Sequence, residues 1–211
     1  SFSGEGYDFT LFDAVALDRP SKYRLNLYFN PKTFTIPQYN FRVGYFITNR
    51  VSVSIGVDHM KYVVTNGQSV NITGSTKDLN STETFNYGNE TIVITNDFLQ
   101  FEHTDGLNYI NGDIRLSHDL FAIGKLSFVG DIGGGIGFLL PKTNSQILGR
   151  ARHDDFHISG FGLNALGAID IKFYDRYFIK TEVKGGYISM PDIRTTADPI
   201  DKASQSFWFS E

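Results

Sequence analysis

Residues 157 to 159 carry the pattern His-x-Ser, which places an imidazole and a hydroxyl two positions apart. In an extended strand such residues point to the same face, so His157 and Ser159 can lie together at the loop end of a strand. A histidine that accepts the serine proton turns that oxygen into a nucleophile towards esters. These two residues are the candidate catalytic residues, although no acidic third partner is evident. The alternative is an interfacial histidine beside a serine, without catalysis.

A second cluster combines two carboxylates with a histidine: Glu102, His103 and Asp105. Such groups can bind a divalent cation or transfer protons. A protein metal site normally needs further histidines or cysteines, and no second cluster of that kind completes this one. The step from Asp105 to Gly106 also suits a simple turn into a strand. We therefore predict neither a metal nor a cofactor, and keep these three residues as the candidates for such a site.

The remaining charges follow an alternating pattern. Between Lys125 and Leu140, most positions of one parity, the even-numbered residues, carry bulky apolar side chains, while most odd-numbered residues are small or charged. A period of two places these sets on opposite faces of a strand. Similar alternation recurs along the chain, and the charges on the polar parities are of both signs. They are Arg42, Asp58, Asp113, Arg115, Asp119, Asp131, Asp170, Lys172, Lys180, Glu182 and Lys184.

These patterns predict an all-β fold, an eight-stranded antiparallel up-and-down transmembrane β-barrel formed by residues 1–211 as one domain. Six segments alternate clearly, and residues 5–16 and 204–211 complete the count. Three short connections, at 48–50, 122–124 and 174–176, contrast with long ones at about 17–34, 65–104, 141–156 and 191–203. Outer-membrane barrels show this asymmetry, with turns on the periplasmic side and loops outside. The Asn/Thr/Ser-rich run from Thr65 to Thr91 is interpreted as a solvated loop.

Composition limits the functional classes. The chain has 211 residues, a net charge of −4 and no cysteine. Lys and Arg are scattered, so no nucleic-acid partner is expected. No run approaches the roughly 20 apolar residues of a transmembrane helix. The 15% aromatic content and the 21 glycines suit girdled strands and polar loops instead.

The composition of the polar strand face indicates which face of the strands points into the barrel. A soluble lipocalin-like carrier, the main alternative, turns its apolar face inward and shows long charged residues to water. Here the polar face is rich in Gly, Ser, Asn and Asp, as in a narrow filled lumen. Charges of nearly balanced sign predict paired networks that plug the barrel rather than an open pore. A proton or ion path along them is the alternative.

Cations near the loop end could contact lipopolysaccharide phosphates, for which Lys and Arg are natural partners. The candidates are Lys61, Lys142, Arg150 and Arg152. A solvated loop in which Asp154 and Asp155 balance these charges is the alternative. We expect outer-membrane lipid and lipopolysaccharide as partners, together with a second outer-membrane or surface protein.

Two resemblances extend this interpretation. The His157-x-Ser159 pattern resembles outer-membrane lipid A deacylases, which implies a lipid-modifying hydrolase; that family continues with Asn where this chain has Gly160. The whole chain resembles small outer-membrane barrels of the OmpA and OmpX type. Residues 101–109, 184–187 and 190–196 look like Bacteroidetes barrels of that class. The resemblance implies location in the bacterial outer membrane and a structural or interaction role through long external loops. Such chains usually end on an aromatic, so the strand that stops at Glu211 is expected to be incomplete.

Overall fold

The computed structural model of the protein describes residues 1–17, 39–77, 83–174 and 177–211, apart from the side chains of residues 104 and 105. These residues form one antiparallel sheet of thirteen strands. No helix within these ranges is long and apolar enough to cross a membrane. The strands are β1 Phe2–Gly4, β2 Tyr7–Phe12, β3 Ala16–Leu17, β4 Tyr39–Phe46, β5 Val51–Val64, β6 Ser69–Thr76, β7 Phe85–Val93, β8 Leu99–Ile123, β9 Leu126–Ile147, β10 His153–Phe156, β11 Gly160–Phe173, β12 Tyr177–Arg194 and β13 Lys202–Ser210.

The sheet runs in the order β3-β5-β8-β9-β11-β12-β13-β1-β2-β6-β7, and β4 and β10 pair with β5 and β9 respectively. Strands β5, β8, β9, β11 and β12 are long neighbours joined partly by tight connections. Gly124 has φ 61° and Tyr174 has φ 54°, the left-handed conformation that lets the chain reverse within a few residues.

The sheet is strongly curled. Three strands separate β5 from β12, so in a flat sheet these two would lie roughly 19 Å apart. Lys184 on β12 nevertheless forms an ion pair with Asp58 on β5. Arg42 on β4, one strand further away, reaches Glu182 at 3.3 Å. The sheet therefore encloses a concave interior across which side chains meet.

Two parts of the curled sheet differ in what they bury. We call residues 40–58, 110–138, 161–174, 177–187 and 207–211 the lower half, and the other described residues the upper half. The lower half includes the tight turns, and its interior holds charged side chains. The interior of the upper half is an apolar core with members on β1, β2, β6, β8, β9, β12 and β13, among them Phe9, Ile72, Leu99, Leu139 and Ile193.

The predicted all-β, antiparallel class is confirmed, but the count of eight strands and the up-and-down order are not. Residues 5–16 were expected to complete the wall beside residues 39–47. Instead, β2 pairs with β1 and β6, and β1 pairs with β13. Residues 18–38, which include most of one predicted loop, lie outside the described residues.

The segments predicted as long loops are largely strands. The stretch 65–104 contains β6, β7 and the beginning of β8, so the prediction of a solvated loop from Thr65 to Thr91 is wrong. The stretch 141–156 contains the end of β9 and all of β10, and 191–203 contains the end of β12 and the beginning of β13. These segments form the upper half. Residues such as Val70 and Ile147 enter the apolar core, and some polar residues of these segments, among them Ser145 and Thr195, are buried as well.

Candidate functional site: a charged interior below an aromatic layer

The charged interior lies on β4, β5, β8, β9, β11 and β12, on the parity opposite to their exposed apolar residues. The alternation that turns Ile114 outward turns Asp113 and Arg115 inward on the same strand. Because the sheet curls, inward residues of distant strands converge. The predicted lumen residues that meet in ion pairs are Arg42, Asp58, Asp113, Arg115, Asp131, Asp170, Lys180, Glu182 and Lys184.

Arg42 is the centre of the part of this network that lies nearest the upper half. Its guanidinium reaches Asp58 at 3.0 Å, and Asp113 and Glu182 at 3.3 Å each. The side chains of Asp58 and Asp113 are fully buried. Lys184, with only 1% of its side chain exposed, supplies a second cation to Asp58. A buried carboxylate without such partners would cost several kcal/mol, so the cations stabilise the arrangement as a set.

A second group of ion pairs lies closer to the turns. Arg115 contacts Glu182 and lies 3.7 Å from Asp113, which links it to the Arg42 group. Lys180 contacts Asp131 and lies 3.4 Å from Asp170. Cations and carboxylates thus alternate along the interior, and each cation has more than one anionic neighbour.

Two predicted members of the network stand apart from these ion pairs. Lys172 is half-buried, and its charge acts on Asp170 on the same strand. Asp119 is exposed, next to a register shift between Asp119 and Phe121. Its register with Val129 keeps Asp119 on the same parity as Asp113 and Arg115, because the shift begins only after it. Its exposure follows from its position near the turn end of β8.

An aromatic layer lies above the charges. The rings of Tyr109 and Phe209 pack edge-to-face with centroids 5.9 Å apart. The Lys184 ammonium lies 5.3 Å from the Tyr109 ring centroid, and Asn164 donates a hydrogen bond to the Tyr109 hydroxyl at 3.2 Å. Gly162 makes room for this ring, since a Cβ there would lie 2.7 Å from it. The layer separates the charged interior from the apolar core above.

The outer face of the lower half is apolar. Ile136 is 69% exposed and Ile132 65% on β9, and Ile55, Ile114 and Val183 on neighbouring strands are exposed to a similar degree. Isolated exposed apolar residues are ordinary, whereas a continuous band around several strands marks a surface that meets something other than water. Near the tight turns the band ends in exposed aromatic rings: Phe46, Phe121, Tyr174, Tyr177 and Phe178.

The His-x-Ser pattern does not form the predicted hydroxyl–imidazole pair. Ser159 is 1% exposed, and its hydroxyl donates to the backbone carbonyl of His157 at 3.2 Å. His157 Nε2 instead lies 3.0 Å from the Asp192 carboxylate. The expectation that both side chains share an outward parity is wrong, because residues 157–159 lie outside regular strand. An acidic partner for His157 does exist, and sequence spacing gave no sign of it.

Glu102 and His103 lie on opposite faces of β8. Glu102 is half-buried and accepts a hydrogen bond from Asn144, while His103 is fully buried and lies 3.3 Å from the Thr143 hydroxyl. Burial lowers the pKa of His103 to about 3, so the imidazole is neutral. The side chain of Asp105 lies outside the described residues. Within them, no three His, Asp or Glu side chains are grouped as a metal site would require.

The four cations proposed for lipopolysaccharide contact differ in exposure. Arg150 is buried: it lies 4.7 Å from the Tyr7 ring centroid and 3.8 Å from Asp201, which does not fit a lipid contact. Arg152 is exposed and pairs with Asp154 at 3.6 Å. Lys142 pairs with the same carboxylate at 3.4 Å, and Lys61 is half-buried.

A scan against protein-family models, a search of curated proteins and a search of solved structures each found no match for this chain.

Proposed function

We propose that this chain is an integral outer-membrane β-barrel protein whose lower half spans the bilayer and whose upper half lies outside it. One observation carries the proposal. The same continuous strands present apolar residues outward and charges inward in the lower half, and reverse this arrangement in the upper half. Apolar residues face outward where the surroundings are hydrocarbon, and inward where they are water.

The dimensions of the apolar band support a membrane. On β9 its outward positions run from Phe128 to Phe138. That length matches the roughly 9–11 residues that a tilted transmembrane strand needs. The exposed aromatic rings at the turn end suit an interfacial girdle, and Tyr187 packs against the 80% exposed Trp208 at the other edge of the band. Short turns at one end favour the periplasm for that side.

The interior supports a structural or interaction role. Paired buried charges and the aromatic layer fill the space that a diffusion channel would need. The upper half is then the part that meets partners, through outer-leaflet lipid, lipopolysaccharide or a second protein. We propose no enzymatic role and no cofactor.

A soluble lipocalin-like carrier has less support. Its ligand chamber would be lined by apolar side chains, whereas the lower interior contains ion pairs such as Arg42 with Asp58. It would also leave the apolar band in water, where a large exposed patch favours aggregation.

A lipid-modifying hydrolase is the second candidate, favoured only by the contact between His157 and Asp192. The orientation of the Ser159 hydroxyl opposes it, because that proton is directed to a carbonyl and not to the imidazole. Mass spectrometry of lipid A from cells that express the protein or its Ser159→Ala variant tests this candidate. We expect identical acyl patterns, and a change that depends on Ser159 would establish the hydrolase.

The membrane proposal can be tested residue by residue, because the chain has no cysteine to compete with a label. Ile136→Cys and Asn144→Cys would each carry a nitroxide on the outward parity of β9, in vesicles containing the folded full chain. The label at residue 136 should collide mainly with oxygen, which concentrates in hydrocarbon, and the label at residue 144 mainly with a water-soluble nickel chelate. Access of the chelate to both labels would contradict the proposal.

A further inference from the structure

Above the apolar band, the outer face of β12 and β13 carries successive groups of polar and charged residues. The pair Tyr187 and Trp208 marks the edge of the band. Next comes the cross-strand pair Ser189 and Ser206, followed by the exposed Ser204. Hydroxyls are natural hydrogen-bond donors and acceptors for lipid headgroups, so this step suits the polar zone of a bilayer.

Two cations follow above the serines. Arg194 and Lys202 are direct cross-strand partners, and Lys202 lies roughly 20 Å along β13 from Trp208. Like charges placed directly opposite each other on one sheet face destabilise it. Neither residue forms an ion pair with any described side chain, and the buried Nε of Arg194 has no hydrogen-bond partner.

The adjacent carboxylate is already engaged. Asp192 bonds to His157 at 3.0 Å. That bond, with the charges of His157, Arg194 and Lys202, holds the pKa of Asp192 below its usual range. On the other side Lys202 is paired with Ser3 of β1, and Asp8 lies one strand beyond. The two cations thus lack the pairing that Asp154 gives to Arg152 and Lys142 elsewhere on the outer face.

We propose that Arg194 and Lys202 bind a phosphate group of lipid A in the outer leaflet, with the serine hydroxyls below them meeting its sugar headgroup. A phosphate between the two cations removes their mutual repulsion. The acyl chains of the same lipid would lie beside Trp208 and the apolar band. This inference rests on the proposed membrane location.

The test uses the full-length protein in detergent micelles and native mass spectrometry with bisphosphorylated lipid A as the probe. A double variant, Arg194→Gln with Lys202→Gln, removes both charges while it keeps polar side chains of similar length. The matched control, Lys142→Gln with Arg152→Gln, removes the same charge from cations that already have a carboxylate partner. We expect about tenfold weaker lipid A binding in the first variant and about twofold or less in the control.

Two further arms identify the ligand. Lipid A stripped of its phosphates should bind the unchanged protein as weakly as intact lipid A binds the double variant. Phosphatidylglycerol should show little dependence on the two cations; an equal dependence would overturn the assignment to lipid A. Equal loss in both double variants, or no loss in either, would overturn the site. The heat-dependent gel shift of a folded barrel is measured on the same samples, so a protein that never inserts contradicts the proposed function separately.

Discussion

The same strands run through the lower and upper halves, but they point apolar residues outward in the lower half and inward in the upper half. On β9, Ile132 and Ile136 point outward below, and Leu139 and Ile147 point inward above. The strand does not break between them; the apolar residues change parity. The interior of one half is held by ion pairs and that of the other by an apolar core. The difference is the one expected if the lower half faces hydrocarbon and the upper half water, as proposed, and it shows that burial alone does not decide which residue types lie inside.

The comparison also separates two sources of stability. In the upper half, removal of Phe9, Leu99 and similar residues from water drives the packing. In the lower half, the proposed membrane location would let hydrocarbon take the role of the core, and the interior is stable only while its charges remain paired. Paired substitutions, one in each half, therefore test this difference most directly.

The largest effect is expected from Lys184→Met in the lower interior. It leaves the buried Asp58 with one cation fewer, and breaking a buried pair costs about 3–5 kcal/mol. Arg152→Met, the control, removes an exposed pair in the upper half and should cost about 1 kcal/mol or less. Urea unfolding of both variants in lipid vesicles measures the difference. Equal costs would show that the lower network is not buried as described.

A smaller effect is expected on the outer face. Ile136→Lys places a charge in the apolar band and should cost about 2–4 kcal/mol in a bilayer. Asn144→Lys lies on the same parity of β9, in the upper half, and should be almost neutral. The free energy of unfolding from vesicles is the quantity to compare. A tolerated lysine at position 136 would remove the contrast between the two outer faces.

The last prediction concerns pH and the upper core, and its effect is the smallest when it is expressed per pH unit. Burial lowers the pKa of His103 to about 3, against 6.5 when exposed. Below pH 6.5 the unfolded state binds a proton that the folded state does not bind, so the free energy of unfolding falls with decreasing pH by about 1.4 kcal/mol per pH unit down to about pH 3. Urea unfolding followed by tyrosine near-ultraviolet dichroism between pH 4 and 7 measures this slope. His103→Gln should remove it.

The control for that measurement is His118→Gln, since His118 is exposed on the outer face of the lower half. That change should leave the slope intact. A slope that persists in the His103 variant would assign the pH dependence to other groups and contradict the burial of a neutral imidazole in the upper core.

The sequence predicted the lower half well because its alternation is regular and its turns are tight. The parity of the charges from Arg42 to Lys184 came directly from a period of two. Their partners could not be predicted, because the contact between β5 and β12 depends on how far the sheet curls. Asp192 was missed as the partner of His157 for a similar reason: the irregular residues 157–159 and the register shift between Met190 and Ile193 fall outside simple alternation.

The upper half was mistaken for loops, although β8 carries a readable signal. Of the odd positions from 99 to 109, four are apolar, and only His103 and Asp105 interrupt the pattern: Leu99, Phe101, Leu107 and Tyr109. The odd positions that follow are Asn111, Asp113 and Arg115. The even positions change in the opposite sense. A search for one constant apolar parity ends a strand at such a reversal. A search for the reversal itself would have extended β8 upward to its first residue.

The length of β8, unbroken from Leu99 to Ile123, has a consequence for how accurately the protein assembles. In a strand with the same surroundings along its whole length, a slip by one residue causes only one kind of unfavourable exposure. In the proposed membrane location, a slip of β8 by one residue would turn charges towards hydrocarbon at one end and apolar side chains towards water at the other. Both errors arise from the same one-residue slip, so the two environments together fix the register of the whole sheet.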